Sequence, residues 1–219
     1  MLPEFYCKRK TTARTKTIID IYRKYFDDSI PNDRQYWTMC ASQVKNNKLQ
    51  ENSELGQMLH SKLINANQFY GVDIDKDVIV KNRKIIPEAT WINNDFKTAM
   101  QQYQIKSNFN PAIINADFIC MGTRAVPRSS EILSFVADID VNNILMIANI
   151  MVTNPYEHKF YTEEDIFESS DKIFEQYKKN KSFLYAVSQG WKIHEDYYVY
   201  PGSGKNVGTF MTSYMFYKK

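Results

Sequence analysis

The octapeptide Gln68-Phe69-Tyr70-Gly71-Val72-Asp73-Ile74-Asp75, QFYGVDID, decides the fold. It is an apolar run of strand length that stops at an aspartate and reaches a second aspartate after one apolar residue. Strands of a parallel sheet, covered on both faces, read as nearly continuous apolar runs. Where the carboxyl end of such a strand meets a ligand, it finishes on a polar side chain. Asp73 is therefore a candidate acceptor for ribose hydroxyls, with capping of the next helix as its alternative, and Asp75 falls mainly to that cap.

Working outward, strand-length runs alternate with helix-period stretches from about Gln35. QYWTMCA (35–41) reads as a first strand, followed by a polar loop and a helix capped by Ser53, with Leu55, Met58, Leu59 and Leu63 along one face. QFYGVD (68–73) is the second strand, and a short helix comes next over 76–85. ATWINND (89–95) is the third strand, with a helix over 96–103, and PAIINAD (111–117) is the fourth. After Pro127, Ser129 or Ser130 caps a helix carrying Ile132, Leu133, Val136 and Ala137, and NNILMIANIMV (142–152) gives the fifth strand. Thr162 with Asp165 opens a further helix that runs to Lys178 and Lys179, and Gly190 marks a stop after it. WKIHEDYYVY (191–200) and GTFMTSYMFYK (208–218), joined across PGSGKNV, close the chain as an antiparallel hairpin. Strands alternating with helices predict an α/β, doubly wound sheet with ligands outside the carboxyl ends of its strands.

Three successive strands end on an acid, at Asp73, Asp95 and Asp117, which sets three carboxylates along one rim of the sheet. With these residues in place the chain resembles the class I S-adenosylmethionine-dependent methyltransferases, over roughly residues 35–218. The resemblance implies a Rossmann-like sheet of order 3-2-1-4-5-7-6 ending in an antiparallel hairpin, with S-adenosyl-L-methionine as cofactor. It implies that Asp73 holds the ribose and Asp95 the adenine amino group, with Ile74 and Phe96 beside them. It also implies that the fourth strand opens onto the acceptor, where Asn115, Asp117 and Phe118 stand in NADF. Residues 1–34 are then a basic extension with a helix, and residues 35–219 the methyltransferase-like domain.

The chain departs from that family at two places. The family's first strand runs into a glycine-rich turn, whereas here Ala41 and Ser42 take that cofactor-facing position and no glycine occurs until Gly56. A dinucleotide needs the tight turn so that its pyrophosphate can approach the backbone. S-adenosylmethionine carries no phosphate, so nicotinamide cofactors are disfavoured more than it is. Asn115-Ala116-Asp117-Phe118 keeps the Asn and the aromatic residue of the amino-methylating Asn-Pro-Pro-Tyr/Phe pattern but neither proline. Cys120 lacks the preceding proline of cytosine C5 enzymes and reads as a small buried thiol. The expected function is methyl transfer to nucleic acid. The rivals are a catalytically inactive methyltransferase-like binding or structural protein and a small-molecule methyltransferase.

Bulk properties bound the remainder. The 219 residues, 43% of them apolar, suffice for an ordinary core. NILMIANIMV is about half the length of a membrane span, and MLPEFYCKRK has charges where a signal peptide is apolar, so an intracellular, cytoplasmic protein is expected. The Asn-, Lys- and Ile-rich composition suits an AT-rich genome such as many viruses carry. Cys7, Cys40 and Cys120 are odd in number and far apart, so neither a disulfide framework nor a zinc site is indicated. His60, His158 and His194 are scattered and read as surface or helix-face residues, and GSGK (202–205) lacks the spacing of a phosphate loop. Net charge is only +3, but Lys8, Arg9, Lys10, Arg14 and Lys16 cluster ahead of a helical stripe of Ile18, Ile19, Tyr22, Tyr25 and Phe26. That cluster either neutralises nucleic-acid phosphates or is a solvated extension.

Overall fold

The computed structural model describes residues 9–40, 43–106, 108–139, 141–151, 178–181, 184, 191–194, 198–201 and 210–219. Its helices are α1 (Arg9–Tyr25), α2 (Glu54–His60), α3 (Lys76–Ile85), α4 (Phe96–Ile105) and α5 (Gly122–Ala137). Its strands are β1 (Gln35–Met39), β2 (Val44–Lys45), β3 (Lys48–Leu49), β4 (Phe69–Asp73), β5 (Thr90–Asn93), β6 (Pro111–Met121), β7 (Ile144–Met151), β8 (Lys192–Ile193), β9 (Tyr198–Pro201) and β10 (Phe210–Lys218). The main sheet runs β5-β4-β1-β6-β7-β10-β8, with β9 also on β10. Counted without the small β2–β3 ribbon, this is the order 3-2-1-4-5-7-6 that the family resemblance implies. β1, β4, β5 and β6 pair in parallel, and β10 pairs antiparallel with β8 and β9. Mixed α/β architecture with a terminal antiparallel hairpin is thus the fold of this chain.

Two compact units make up the described residues. The first comprises Thr11–Asn115, Val141–Leu145 and Lys219. Its core is aromatic: Tyr36 stacks on Phe69 at 5.7 Å, and Trp37 on Tyr70 at 4.9 Å, with Tyr103 edge-on to Trp37 and Tyr70. Tyr36, Trp37 and Phe69 have no exposed surface. Fully burying one large apolar side chain contributes about 1.5–3 kcal/mol, so these rings alone fix the register of β1 on β4 against a one-residue slip, which would exchange the two faces. Ile18, Ile19, Ile21 and Tyr22 of α1 are buried in the same unit. The Arg34 guanidinium donates to the Pro111 carbonyl and, at 3.1 Å, to that of Asn143.

The second unit comprises the described residues among Met1–Lys10, Ala116–Asp140 and Met146–Lys218. Ile132, Leu133 and Val136 of α5 are buried, as are Met146–Asn149 of β7 and Ser213–Phe216 of β10. Two polar pairs cross its interior. Ser213 Oγ donates to Asn149 Oδ1 at 2.6 Å, and Asn180 Nδ2 donates to the Tyr214 hydroxyl at 3.2 Å.

Several expected boundaries move. α1 begins at Arg9, so Arg9, Lys10 and Arg14 are helical rather than a preceding arm; Arg, Lys and Ala are good helix formers and extend the helix backwards. α5 starts at Gly122 and carries Pro127 within it, and the Ser130 hydroxyl donates to the Pro127 carbonyl at 2.8 Å rather than capping a start. β6 continues to Met121, four residues past Asp117. The single strand expected over 191–200 is two short ones, and His194, expected at the surface or on a helix face, is buried just after β8. Of the helix expected after Thr162, Lys178 and Lys179 at its end are described and helical, while its earlier part, Gly190, the GSGK turn, Lys8 and His158 lie outside the described residues.

Candidate functional site

The carboxyl ends of the adjacent parallel strands β4 and β5 form the rim on which the sequence sets Asp73 and Asp95. Asp73 is half-buried, and its Oδ1 accepts the Asp75 N–H at 2.8 Å, closing a turn two residues long. Asp75 caps α3, its Oδ1 accepting from Asp77 N–H at 2.9 Å and Val78 N–H at 3.4 Å, as the sequence indicates. Ile74, between them, is 80% exposed. Asp95 caps α4: its Oδ1 accepts the Thr98 N–H at 3.1 Å and the Thr98 hydroxyl at 3.3 Å. The next residue, Phe96, is buried. Asp73 pairs in register with Asn93, two residues before Asp95, so the two acids and Ile74 share one end of neighbouring strands.

The loop after β1 differs from a glycine-rich turn. Ala41 and Ser42 lie outside the described residues, but immediately after them comes a hairpin, β2 and β3, joined by Asn46 and Asn47 at φ 52° and 56°. Two consecutive left-handed residues make the mirror-image turn whose twist suits a tight hairpin, and Asn tolerates that region better than most non-glycine residues. Gln43 anchors the hairpin: its N–H donates to Asn82 Oδ1 of α3 at 3.0 Å, its Oε1 accepts the Leu55 N–H of α2 at 3.0 Å, and its carbonyl accepts the Gln50 N–H. Ser53 Oγ accepts the Gly56 N–H at 3.1 Å. Two first-turn donors of α2 are therefore occupied by the protein's own side chains, and the seat a phosphate would use is filled.

Asn115 is drawn into a different cluster. It is fully buried opposite Thr38, and its Nδ2 donates to Glu54 Oε1 at 2.8 Å and, more weakly, to Thr38 Oγ1 at 3.4 Å. Glu54 is itself buried and also accepts from the Tyr36 hydroxyl. A carboxylate with two donors on one oxygen is the usual way a buried acid is accommodated. Asp117 is half-buried in the second unit, and Phe118 comes directly after it within β6. Cys40 is a buried thiol, pushed well above its ordinary value by burial first, then by Asp73 and Glu54. Among the described residues no group of three or more His, Cys, Asp and Glu side chains forms a metal site, and no helix is long and apolar enough to cross a membrane.

No protein-family model matches the chain, and no curated protein matches its sequence. Solved structures do. The fibrillarin pre-rRNA processing protein of Methanococcus jannaschii is 13% identical, with 87% of this chain and 71% of that one covered at a TM-score of 0.42. A TehB-like SAM-dependent methyltransferase from Corynebacterium glutamicum ATCC 13032 is likewise 13% identical, with 95% of this chain and 100% of that one covered at a TM-score of 0.36. No residue role comes from either likeness.

Sequence reading missed three residues that the geometry brings forward: Gln43, Glu54 and Asn93. Gln43 and Glu54 act on partners 12 and 61 residues away, respectively Leu55 and Asn115, so no local pattern marks them. Asn93 had a local signal, since it stands in WINND two residues before Asp95.

Proposed function

We propose that this chain is an S-adenosylmethionine-dependent methyltransferase acting on nucleic acid. The observation that carries the reading is the pair of acids at the ends of β4 and β5, in a sheet of order 3-2-1-4-5-7-6. Asp73 uses one carboxylate oxygen in its own turn and Asp95 uses one in its cap, and a carboxylate has about four lone-pair positions. Both can therefore accept further donors, Asp73 from ribose hydroxyls and Asp95 from the adenine amino group, with Ile74 offering apolar surface to the purine. The occupied first turn of α2 suits an adenosine ligand without phosphate and does not suit a dinucleotide.

When bound, the cofactor supplies an electrophilic methyl group on a sulfonium. The protein's share is orientation: an in-line approach requires the acceptor to be held near the reacting carbon, and positioning of that kind accounts for much of a transfer enzyme's rate. Asp117 and Phe118 of β6 are assigned to the acceptor, whereas Asn115, expected from the sequence to share that role, is buried with its amide held by Glu54 and Thr38. Lys8, Arg9, Lys10 and Arg14 are assigned to phosphates of the polynucleotide.

Thermal unfolding with S-adenosylhomocysteine tests the cofactor assignment. A ligand at 100 times its dissociation constant stabilises by about 2.7 kcal/mol, and no shift at millimolar ligand ends the reading. For the substrate, RNA and DNA affinity should fall steeply with salt, and the slope should decrease by roughly 0.7–0.9 for each phosphate contact removed by neutralising a basic residue. Affinity independent of salt points instead to a small-molecule acceptor.

The second reading is a methyltransferase-like binding or structural protein without catalysis. Two observations favour it: the hairpin in place of the glycine turn, and the burial of Asn115 against Glu54. Polynucleotide binding without S-adenosylhomocysteine binding is its signature.

A further inference from the structure

The end of β4 is tied down by a side chain from the neighbouring strand. Asn93, the last residue of β5, is exposed, and its Nδ2 donates to two successive carbonyls, those of Asp73 at 3.0 Å and Ile74 at 2.9 Å. The Asp73 carbonyl also accepts the Asn94 N–H at 3.2 Å, and the Asp73 carboxylate accepts the Asp75 N–H. Both carbonyls and the Asp75 N–H are thus engaged, so the directions of the Asp73 carboxylate and the Ile74 side chain are set by the protein.

Packing does not demand an asparagine here. Among the described residues β5 is the edge of the sheet, its pairing with β4 is carried by the backbone ladder and by buried Trp91, and an exposed edge position accepts most polar residues. Bridging two carbonyls does demand a donor with two N–H groups on one nitrogen, and the carboxamide supplies it. Aspartate, of the same shape, supplies none and would set a carboxylate beside two carbonyl oxygens.

We propose that Asn93 is a positioning residue for the adenosine site, acting through Asp73 by clamping the Asp73 and Ile74 carbonyls. The proposal rests on the adenosine-binding reading above. It is tested by calorimetric affinity for S-adenosylhomocysteine in the full chain, the Asn93→Ala and Asn93→Asp variants, Asp73→Ala and the Asp73→Ala/Asn93→Ala double variant, with thermal unfolding of each. Asn93→Ala should weaken binding about tenfold, the scale of one lost hydrogen bond, and Asn93→Asp at least as much, while the unfolding temperature of both stays close to that of the parent. In the Asp73→Ala background, Asn93→Ala should cost clearly less than in the parent, because the part of its effect that runs through Asp73 is already lost. Tight binding by Asn93→Asp in a series where Asp73→Ala fails overturns the clamp and leaves the adenosine site standing, as does an equal loss from Asn93→Ala in both backgrounds. A parent chain that binds no S-adenosylhomocysteine overturns the site and the clamp together.

Discussion

At Gly71 the absent side chain lets Trp91 lie across β4. A Cβ there would stand 2.6 Å from Trp91 Cζ3 and 3.0 Å from Cys40 Sγ, and the indole is further fixed by its Nε1 donating to the Ile86 carbonyl at 2.8 Å. Gly71→Ala should therefore destabilise by about 1–3 kcal/mol, the usual cost of overpacking, read as a lower urea midpoint with an unchanged slope. The glycine was visible in QFYGVDID, but its reason was not, because Trp91 lies far along the chain and only the folded sheet brings it back. Asp75 was legible as a cap because its partners are two and three residues away. Asp95 shows the limit of such reading: an acid ahead of a helix fits both a cap and a ligand contact, and the cap is present in the fold.

Elements built on long apolar periods were read closely, and elements built on special backbone were not. α3 spans the residues the pattern marked, whereas the β2–β3 hairpin went unseen because two-residue strands have no period and Asn46-Asn47 replaces the familiar Asn-Gly. With only seven glycines, the chain fills left-handed positions with other residues. Lys62 is a second case. It has φ 58° just past α2, where the Leu63 N–H reaches the Met58 carbonyl at 3.1 Å and the Lys62 N–H reaches that of Leu59 at 3.0 Å, the paired bonds of a Schellman ending. Glycine is the residue this position favours, so Lys62→Gly should raise stability by roughly 0.5–1 kcal/mol, seen as a higher melting temperature. The early start of α5 was hidden for the opposite reason: Pro127 looks like a boundary, and here the helix runs through it.

For the whole molecule, the alternation of strands and helices marked a parallel sheet covered by helices, a pattern many folds share, and the strand order came from the family resemblance. Stability at high pH should report on the α1 contact. Burial raises the Tyr22 hydroxyl to about 12, opposed by the charge of Arg34 and assisted by that of Asp27. The neutral form is the one the fold accommodates, so this contribution is complete below pH 10, the ordinary tyrosine value, and is lost as pH rises through about 12. Melting measured from about pH 9 to about pH 12 should fall less steeply for Tyr22→Phe, which keeps the ring against Phe26 at 5.1 Å. The self-capped start of α2 bears on hydrogen exchange. The Leu55 amide, bonded to Gln43, is buried and already protected, so its deuterium uptake should be slow with or without ligand. The Asp75 amide, bonded to an exposed turn, should exchange quickly alone and slow down when adenosine settles on Asp73. In this chain the first turn of α2 is held beforehand by Gln43 and Ser53, and the imprint of the proposed ligand should fall one strand over.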